Sequence, residues 1–261
     1  MLRSLKDLER YTVNATDGDV GTVVDFLVED SRWTIRYLVV ETGSFFHERH
    51  VLVSPVSFGK VEWSSRRVDL TLTKEKIRNS PSVDVDKPVS RQHEWDFVRY
   101  YGYPYYWGYS GLWGVGDNPA LLGAGEYYAE SAERLEHAPG DVHLRSVKEI
   151  LGYDIQGSDG AIGHLDDLVV DDTTWELRYL VVDTSNWWFG KKVLLAPHWA
   201  SRVSWSEQKI FVDETRESVK RSPEWAAFTV NREYEAQLYE HYGRPHYWHD
   251  PVSPKPASFH T

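Results

Sequence analysis

The sequence predicts a mainly β protein of two small six-stranded barrels, each with short helices and an aromatic tail, related by an approximate internal twofold. Three observations carry this reading. Shifted by 142 residues, positions 4–81 overlay positions 146–223 without a gap, and about a third of them are identical. A repeat of that length marks a duplicated domain, because solenoid units run to roughly 20–50 residues. Each copy is made of short runs rich in β-branched and aromatic residues, with Gly, Pro, Asp or Ser between them. Six short strands in about 80 residues favour closure into a barrel, which removes exposed sheet edges.

In the first copy the expected strands are 11–14, 20–29, 33–41, 51–53, 59–63 and 67–73. In the second they are 153–156, 162–171, 175–183, 193–196, 202–205 and 209–213. The central hairpin of each copy turns at Asp30-Ser31 or Asp172-Thr173, read as two-residue loops. Counting back from those turns places Asp25 opposite Arg36 and Asp167 opposite Arg178, as structural cross-strand ion pairs. Both faces of the hairpin are apolar, with Val24, Phe26, Ile35, Tyr37 and Val39 on one and Val23, Leu27, Leu38 and Val40 on the other. A barrel interior covers one face, so the second needs another cover.

The tails are the expected cover. After Pro81 and Pro223 the pattern turns helical at 91–100 and 232–241, with rings on one stripe. Each helix runs into a similar ending, Tyr101-Gly102-Tyr103-Pro104-Tyr105-Tyr106-Trp107 and Tyr242-Gly243-Arg244-Pro245-His246-Tyr247-Trp248. Gly stops the helix and Pro fixes an extended path, so the rings must find a surface to pack on. The domains expected are 1–107, a first barrel with its tail, and 141–250, a second barrel with its tail. Between them lies a Gly/Pro-rich linker, 108–140, with a short acidic helix at 126–137, and 251–261 is a flexible end.

Bulk properties narrow the function classes. The chain has no Cys and one Met, so disulfides, thiolate chemistry and cysteine zinc sites are excluded. No run approaches the ~18 apolar residues of a membrane-spanning helix, and the N-terminus lacks a secretory signal pattern. A cytoplasmic protein is the default expectation, with peripheral membrane contact left open. The net charge of −11 falls in the linker and second half and disfavours nucleic acid as a partner.

No serine elbow, phosphate loop or dinucleotide fingerprint is present, so no catalytic residue and no cofactor are expected. The acidic clusters Asp25, Glu29, Asp30 and Asp166, Asp167, Asp171, Asp172 could hold a hard cation, but they lack an EF-hand pattern and read as hairpin charge. His47, His50, His241, His246 and His249 lack zinc-ligand spacing, so no metal site is assigned. His164 and Asp166 are two apart on a strand, but their first-copy counterparts are Thr22 and Val24. The candidates for interaction are the tail residues Tyr101, Pro104, Trp107, Tyr242, Pro245 and Trp248, together with the Trp187-Trp188 pair.

The shared residues Asp17-Gly18, Gly21, Asp25, Arg36-Tyr37-Leu38-Val39-Val40, Val51-Leu52-Val53-Ser54-Pro55 and Ser80-Pro81, with partners 142 positions on, resemble the PRC-barrel family. That family is named for the H subunit of the photosynthetic reaction centre and is shared with a ribosome maturation factor. The tandem form with its tails is similar to bacterial proteins described as PRC-barrel domain-containing. The resemblance implies six-stranded barrels that serve as assembly modules. The resulting expectation is a non-enzymatic scaffold with an unidentified protein partner, an intramolecular pseudo-dimer able to form homo-oligomers. A metal- or small-ligand-binding stress-related protein is the alternative, and a reaction-centre-associated or RNA-processing adaptor ranks behind it.

Overall fold

Alternating apolar residues form strands where the sequence places them, and the computed structural model adds short strands outside that pattern. It describes residues 1–43, 49–81, 83, 88–107, 109–122, 142–184, 190–226, 230–248 and 258–260. The first repeat contains β1 (Leu2–Ser4), α1 (Leu5–Leu8), β2 (Thr12–Ala15), β3 (Gly18–Glu29), β4 (Thr34–Thr42), β5 (Arg49–Val53), β6 (Phe58–Glu62), β7 (Arg67–Leu70), α2 (Lys74–Arg78), β8 (Val89–Ser90) and α3 (Arg91–Tyr101). The second contains β9 (Val142–Ser146), α4 (Val147–Ile150), β10 (Asp154–Gly157), β11 (Gly160–Asp171), β12 (Leu177–Asp183), β13 (Lys192–Leu195), β14 (Ala200–Ser204), β15 (Lys209–Val212), α5 (Arg216–Arg221), α6 (Arg232–His241) and β16 (Ser258–His260). The acidic helix expected at 126–137 lies outside the described residues.

The chain divides into two units that do not coincide with the repeats. The N-unit is Asp7–Lys148 with Asp172–Glu176, and the C-unit is Met1–Lys6, Glu149–Asp171 and Leu177–Thr261. The N-unit sheet runs β5-β4-β3-β2-β7-β6, with β9 on β3 and β8 on β9. The C-unit sheet runs β13-β12-β11-β10-β15-β14-β16, with β1 on β11. The six central strands thus have the same order in both. The observed architecture is mainly β, two sheets with packed helices, and among the described residues no ladder links the two ends of either order.

Each unit is completed by a strand from the other repeat. In the N-unit, β9 pairs antiparallel with the end of β3, Leu27 facing Ser146 and Glu29 facing Leu144. In the C-unit, β1 pairs with the end of β11 in the same way, Leu2 facing Asp171 and Ser4 facing Val169. The N-unit also takes the turn Asp172–Glu176, where Ile35 N donates to Trp175 O at 2.8 Å and the Trp175 ring meets Phe58 edge-on at 5.1 Å.

The central hairpins correct the counted register. Glu29 lies opposite Thr34, so the turn is longer than two residues, and Trp33 sits at its end with φ 51°. Bulges then displace the pairing twice, so Asp25 faces Val39 and Asp167 faces Val181. The bulges make the register step over Arg36, between Ile35 and Tyr37, and over Arg178, between Leu177 and Tyr179. The Asp25–Arg36 and Asp167–Arg178 pairs therefore do not form.

The residues 258–260, expected in a flexible end, pair in parallel with Arg202–Ser204, where β14 would otherwise present an unpaired edge.

Two repeated signals have direct backbone causes. Gly18 and Gly160 take φ of 120° and 141° in the β2–β3 and β10–β11 turns. The preceding Asp17 and Asp159 carboxylates accept the first helical N–H of α2 and α5, Lys74 N and Arg216 N, both at 2.7 Å. Gly21 and Gly163 lie where β3 crosses β4 and β11 crosses β12 so closely that a Cβ would stand 1.9 Å from Glu41 O and 2.1 Å from Asp183 O. Gly21→Ala or Gly163→Ala must push these strands apart, which should cost about 3 kcal/mol in urea unfolding. A loss below about 0.5 kcal/mol would show that the crossing is looser than described.

Candidate functional site

In the N-unit a helix and its tail cover a hairpin face on which the bulges bring Leu27 together with Tyr37 and Val39, residues that the counted alternation sets on opposite faces. Helix α3 begins at the Ser90 N-cap, whose side chain accepts from His93 N, and ends at Gly102 with φ 74°. It lays Phe97 and Tyr101 on Leu27, Tyr37, Val39, Leu52 and Leu144. The tail then returns over the helix, packing Tyr105, Tyr106 and Trp107 around Val98. In the C-unit the rings of α6 and its tail gather on Trp199, with Tyr239 at 5.1 Å and Tyr242 at 4.9 Å, and Trp248 lies 5.5 Å from Tyr239.

Two sets of buried polar residues recur at equivalent positions. The first receives the exchanged strands. Asp25 Oδ2 accepts the Ser146 hydroxyl at 2.5 Å, and Oδ1 accepts Phe26 N at 2.7 Å and Lys148 N at 3.2 Å. Asp167 repeats this with the Ser4 hydroxyl, Leu168 N at 2.7 Å and Lys6 N at 3.2 Å. Burial raises both carboxyl pKa values, and the serine and amide donors oppose it without cancelling it.

The second set is a carboxylate under the tail. Glu94, fully buried on α3, accepts Tyr37 OH on Oε1 at 2.9 Å and Tyr106 OH on Oε2 at 3.0 Å, and His143 Nε2 of β9 lies 2.7 Å from Oε2. Its counterpart Glu235 on α6 accepts Tyr179 OH at 2.7 Å and Tyr247 OH at 2.8 Å, and pairs with the Arg232 guanidinium at 3.2 Å. Burial first, and after it the nearby glutamate and, for Tyr179, Tyr239 ahead of the glutamate, push the Tyr37, Tyr106 and Tyr179 hydroxyls well above the usual phenol range, so they act as neutral donors.

Beside the Glu94 set, the Arg36 guanidinium bonds the Glu29 carboxylate through Nε at 3.0 Å and through Nη2. It is held between two rings, 3.5 Å from the Tyr106 centroid and 4.7 Å from Trp113. Burial drives the Glu29 pKa up, but the Arg36 charge and the hydrogen bonds from Ser31 and Arg36 outweigh it and hold the group below the usual range. In the C-unit, Arg178 lies 3.9 Å from Asp171 and 4.3 Å from the Tyr247 ring. These arrangements fix a tail on its sheet through charge-assisted hydrogen bonds and stacking.

The structure separates the predicted interaction residues. Tyr101, Trp107 and Tyr242 are buried within their own units, Pro104 and Trp248 are half-buried, and Pro245 is exposed. Trp187 and Trp188 lie outside the described residues. The acidic clusters do not converge on a common point. Asp166 bonds Lys6 at 2.8 Å and Lys192 at 2.7 Å, while Asp25, Glu29, Asp167 and Asp171 face the partners named above. His241 Nε2 bonds Ser218 O at 2.8 Å, and His246 stacks on Trp248. His47 and His249 lie outside the described residues. Among the described residues no group of three or more His, Asp and Glu could hold a metal ion.

Sequence reasoning did not single out Glu94, Glu235, His143, Ser4 or Ser146 as functional or packing residues. The available signal was the offset of 141 residues that aligns the two tails and also aligns Glu94 with Glu235.

Residues 143–219 match the PRC-barrel domain, a span that begins in β9 and ends in α5. An uncharacterized protein of Deinococcus radiodurans is 39% identical over 83 residues, which is 31% of this chain and 28% of that protein. The chain thus spans little more than a quarter of the length of this curated relative.

Asp25→Ala and Asp167→Ala should each cost about 3 kcal/mol, since each strands a hydroxyl and two amides in the interior. The isosteric Asp25→Asn should cost less. It should also remove a pH effect whose sign follows from the raised pKa. Folding takes up a proton there, so stability falls as pH rises from about 4 through the folded value. Urea titrations across pH check this, and equal costs for Asn and Ala at position 25 would contradict it.

Proposed function

We propose that the chain is a tandem PRC-barrel protein that serves as a non-catalytic scaffold for protein assembly. In this reading each repeat is a PRC-type barrel module, the first as well as the matched second. The observation that carries the proposal is the use of the buried ionisable groups. Asp25, Asp167, Glu29, Glu94 and Glu235 all accept hydrogen bonds from the protein's own strands and tails, so their chemistry is spent on holding the fold. What remains to meet a partner is surface.

The C-unit tail is the surface best suited to that role. Pro245 is exposed, and His246, Tyr247 and Trp248 are half-buried, whereas Tyr105, Tyr106 and Trp107 of the N-unit are buried. The stacked His246–Trp248 pair, with ring centroids 4.5 Å apart, offers a rigid aromatic edge of the kind that anchors interfaces. No helix among the described residues is long and apolar enough to cross a membrane.

Cross-linking mass spectrometry on the full chain in extract of its native cells should place partner cross-links around residues 230–248. Pro245→Ala with Trp248→Ala should weaken capture about tenfold or more, the loss of one aromatic anchor. Cross-links that avoid this tail, or capture unchanged in the double variant, would overturn the assignment.

A further inference from the structure

The two units differ at one sheet edge. In the C-unit β14 carries β16 along its outer side, with Arg202 opposite Ser258 and Ser204 opposite His260. Its repeat counterpart β6 ends the N-unit order, and among the described residues β7 is its one ladder partner. Gly59 and Lys60 of β6 are exposed.

The direction of the backbone groups on β6 follows from its neighbours. Thr12 N donates to Arg66 O, and Thr12 registers with Arg67. Arg66 and Val68 therefore turn their peptide groups toward β2, and Arg67 and Asp69 turn theirs toward β6. Those two face Glu62 and Lys60, which leaves the Val61 N–H and C=O pointing out from the sheet edge. In the C-unit Asp154 N donates to Gln208 O, so the equivalent Val203 points out in the same way, and it lies opposite Phe259 of β16.

The residues around the N-unit edge define what fits it. Lys60 and Glu62 share one face of β6 and form an ion pair with each other, the Lys60 side chain being 70% exposed. A lysine on an edge deters an arbitrary strand. The order Lys-x-Glu is nevertheless its own complement in an antiparallel pair centred on Val61, where Lys60 of each copy faces Glu62 of the other. The C-unit edge has Arg202 and Ser204 at these positions and lacks that order. Beside the edge, the turn Pro119–Leu121 packs on the turn Pro55–Ser57 that leads into β6, and Leu121 is 81% exposed.

We propose that β6 is a pairing edge for a second copy of this chain. Two N-units join antiparallel at β6, and Val61 exchanges both of its outward backbone hydrogen bonds with Val61 of the second copy. A twofold contact uses the same edge on both copies, so the pairing stops at two. Paired strands of five residues bury less than the roughly 1,200 Å² of a standard stable interface, so the dimer forms at raised concentration and dissociates on dilution. The pairing does not depend on the scaffold reading, which places partners on the C-unit tail.

Sedimentation velocity of the full chain, in a concentration series reaching the millimolar range, should show a monomer–dimer equilibrium. Lys60→Glu sets glutamate against glutamate and should weaken it about tenfold or more. Lys60→Glu combined with Glu62→Lys restores the opposite order and should recover the dimer, and Pro245→Ala with Trp248→Ala should leave it unchanged. Hydrogen exchange at the Val61 amide should slow as protein concentration rises. A dimer indifferent to Lys60→Glu, a charge swap that fails to rescue it, loss of the dimer in the tail variant, or growth beyond two copies would each overturn the proposal. A chain that stays monomeric throughout would also overturn it, and slowing of Val61 exchange by a synthetic peptide of residues 253–261 would then give the edge to an extended segment instead. Should a variant fail to fold, Val61 exchange in the unaltered chain still decides, since protection independent of concentration contradicts the pairing.

Discussion

The Asp25 carboxylate accepts the Ser146 hydroxyl and the Lys148 amide, Asp167 does the same for Ser4 and Lys6, and the remaining architecture depends on these two receptions. A strand of three to five residues buries too little apolar surface to hold itself in place. A buried carboxylate that would otherwise lose its water supplies both the attraction and the specificity. Because the serine and aspartate recur in each repeat, the exchange is built into the duplicated pattern. Each folded unit therefore needs residues from both repeats.

The covering layers follow from this placement. With β9 on β3, Leu144 joins Leu27, Tyr37 and Leu52 in the surface that α3 covers, and His143 comes within reach of Glu94. The returning tail buries Tyr106 against both Arg36 and Glu94, so one ring links the two polar groups. In the C-unit Tyr247 stands in the same relation to Arg178 and Glu235. Groups of these types would suit acid–base chemistry in an open cleft. Here the carboxylates are saturated with donors and the phenols are held neutral, which favours a structural role for both sets.

Much of this was legible in the sequence. The alternating runs and turn glycines located twelve strands to within a few residues, and the ring stripes at 91–101 and 232–241 located both long helices. The exchanged strands were not legible, because the repeat match begins at Ser4 and Ser146, the last residues of β1 and β9. Asp25 and Asp167 stood out as shared positions but were given the wrong partners. Counting by twos cannot register the bulges at which the pairing steps over Arg36 and Arg178, nor the longer turns ending at Trp33 and Trp175. Glu94 and Glu235 stood out in no sequence pattern, since their burial exists only once the tail returns over the helix.

Strand exchange can be read out by cutting the chain between the repeats. A protease site introduced within residues 123–141, cleaved in the folded protein, leaves two fragments. Each carries a strand that belongs to the other fragment's main unit. Size-exclusion chromatography with light scattering should show the fragments migrating together at the mass of the intact chain and separating only in denaturant. Two fragments that part under native conditions and remain folded would contradict the exchange.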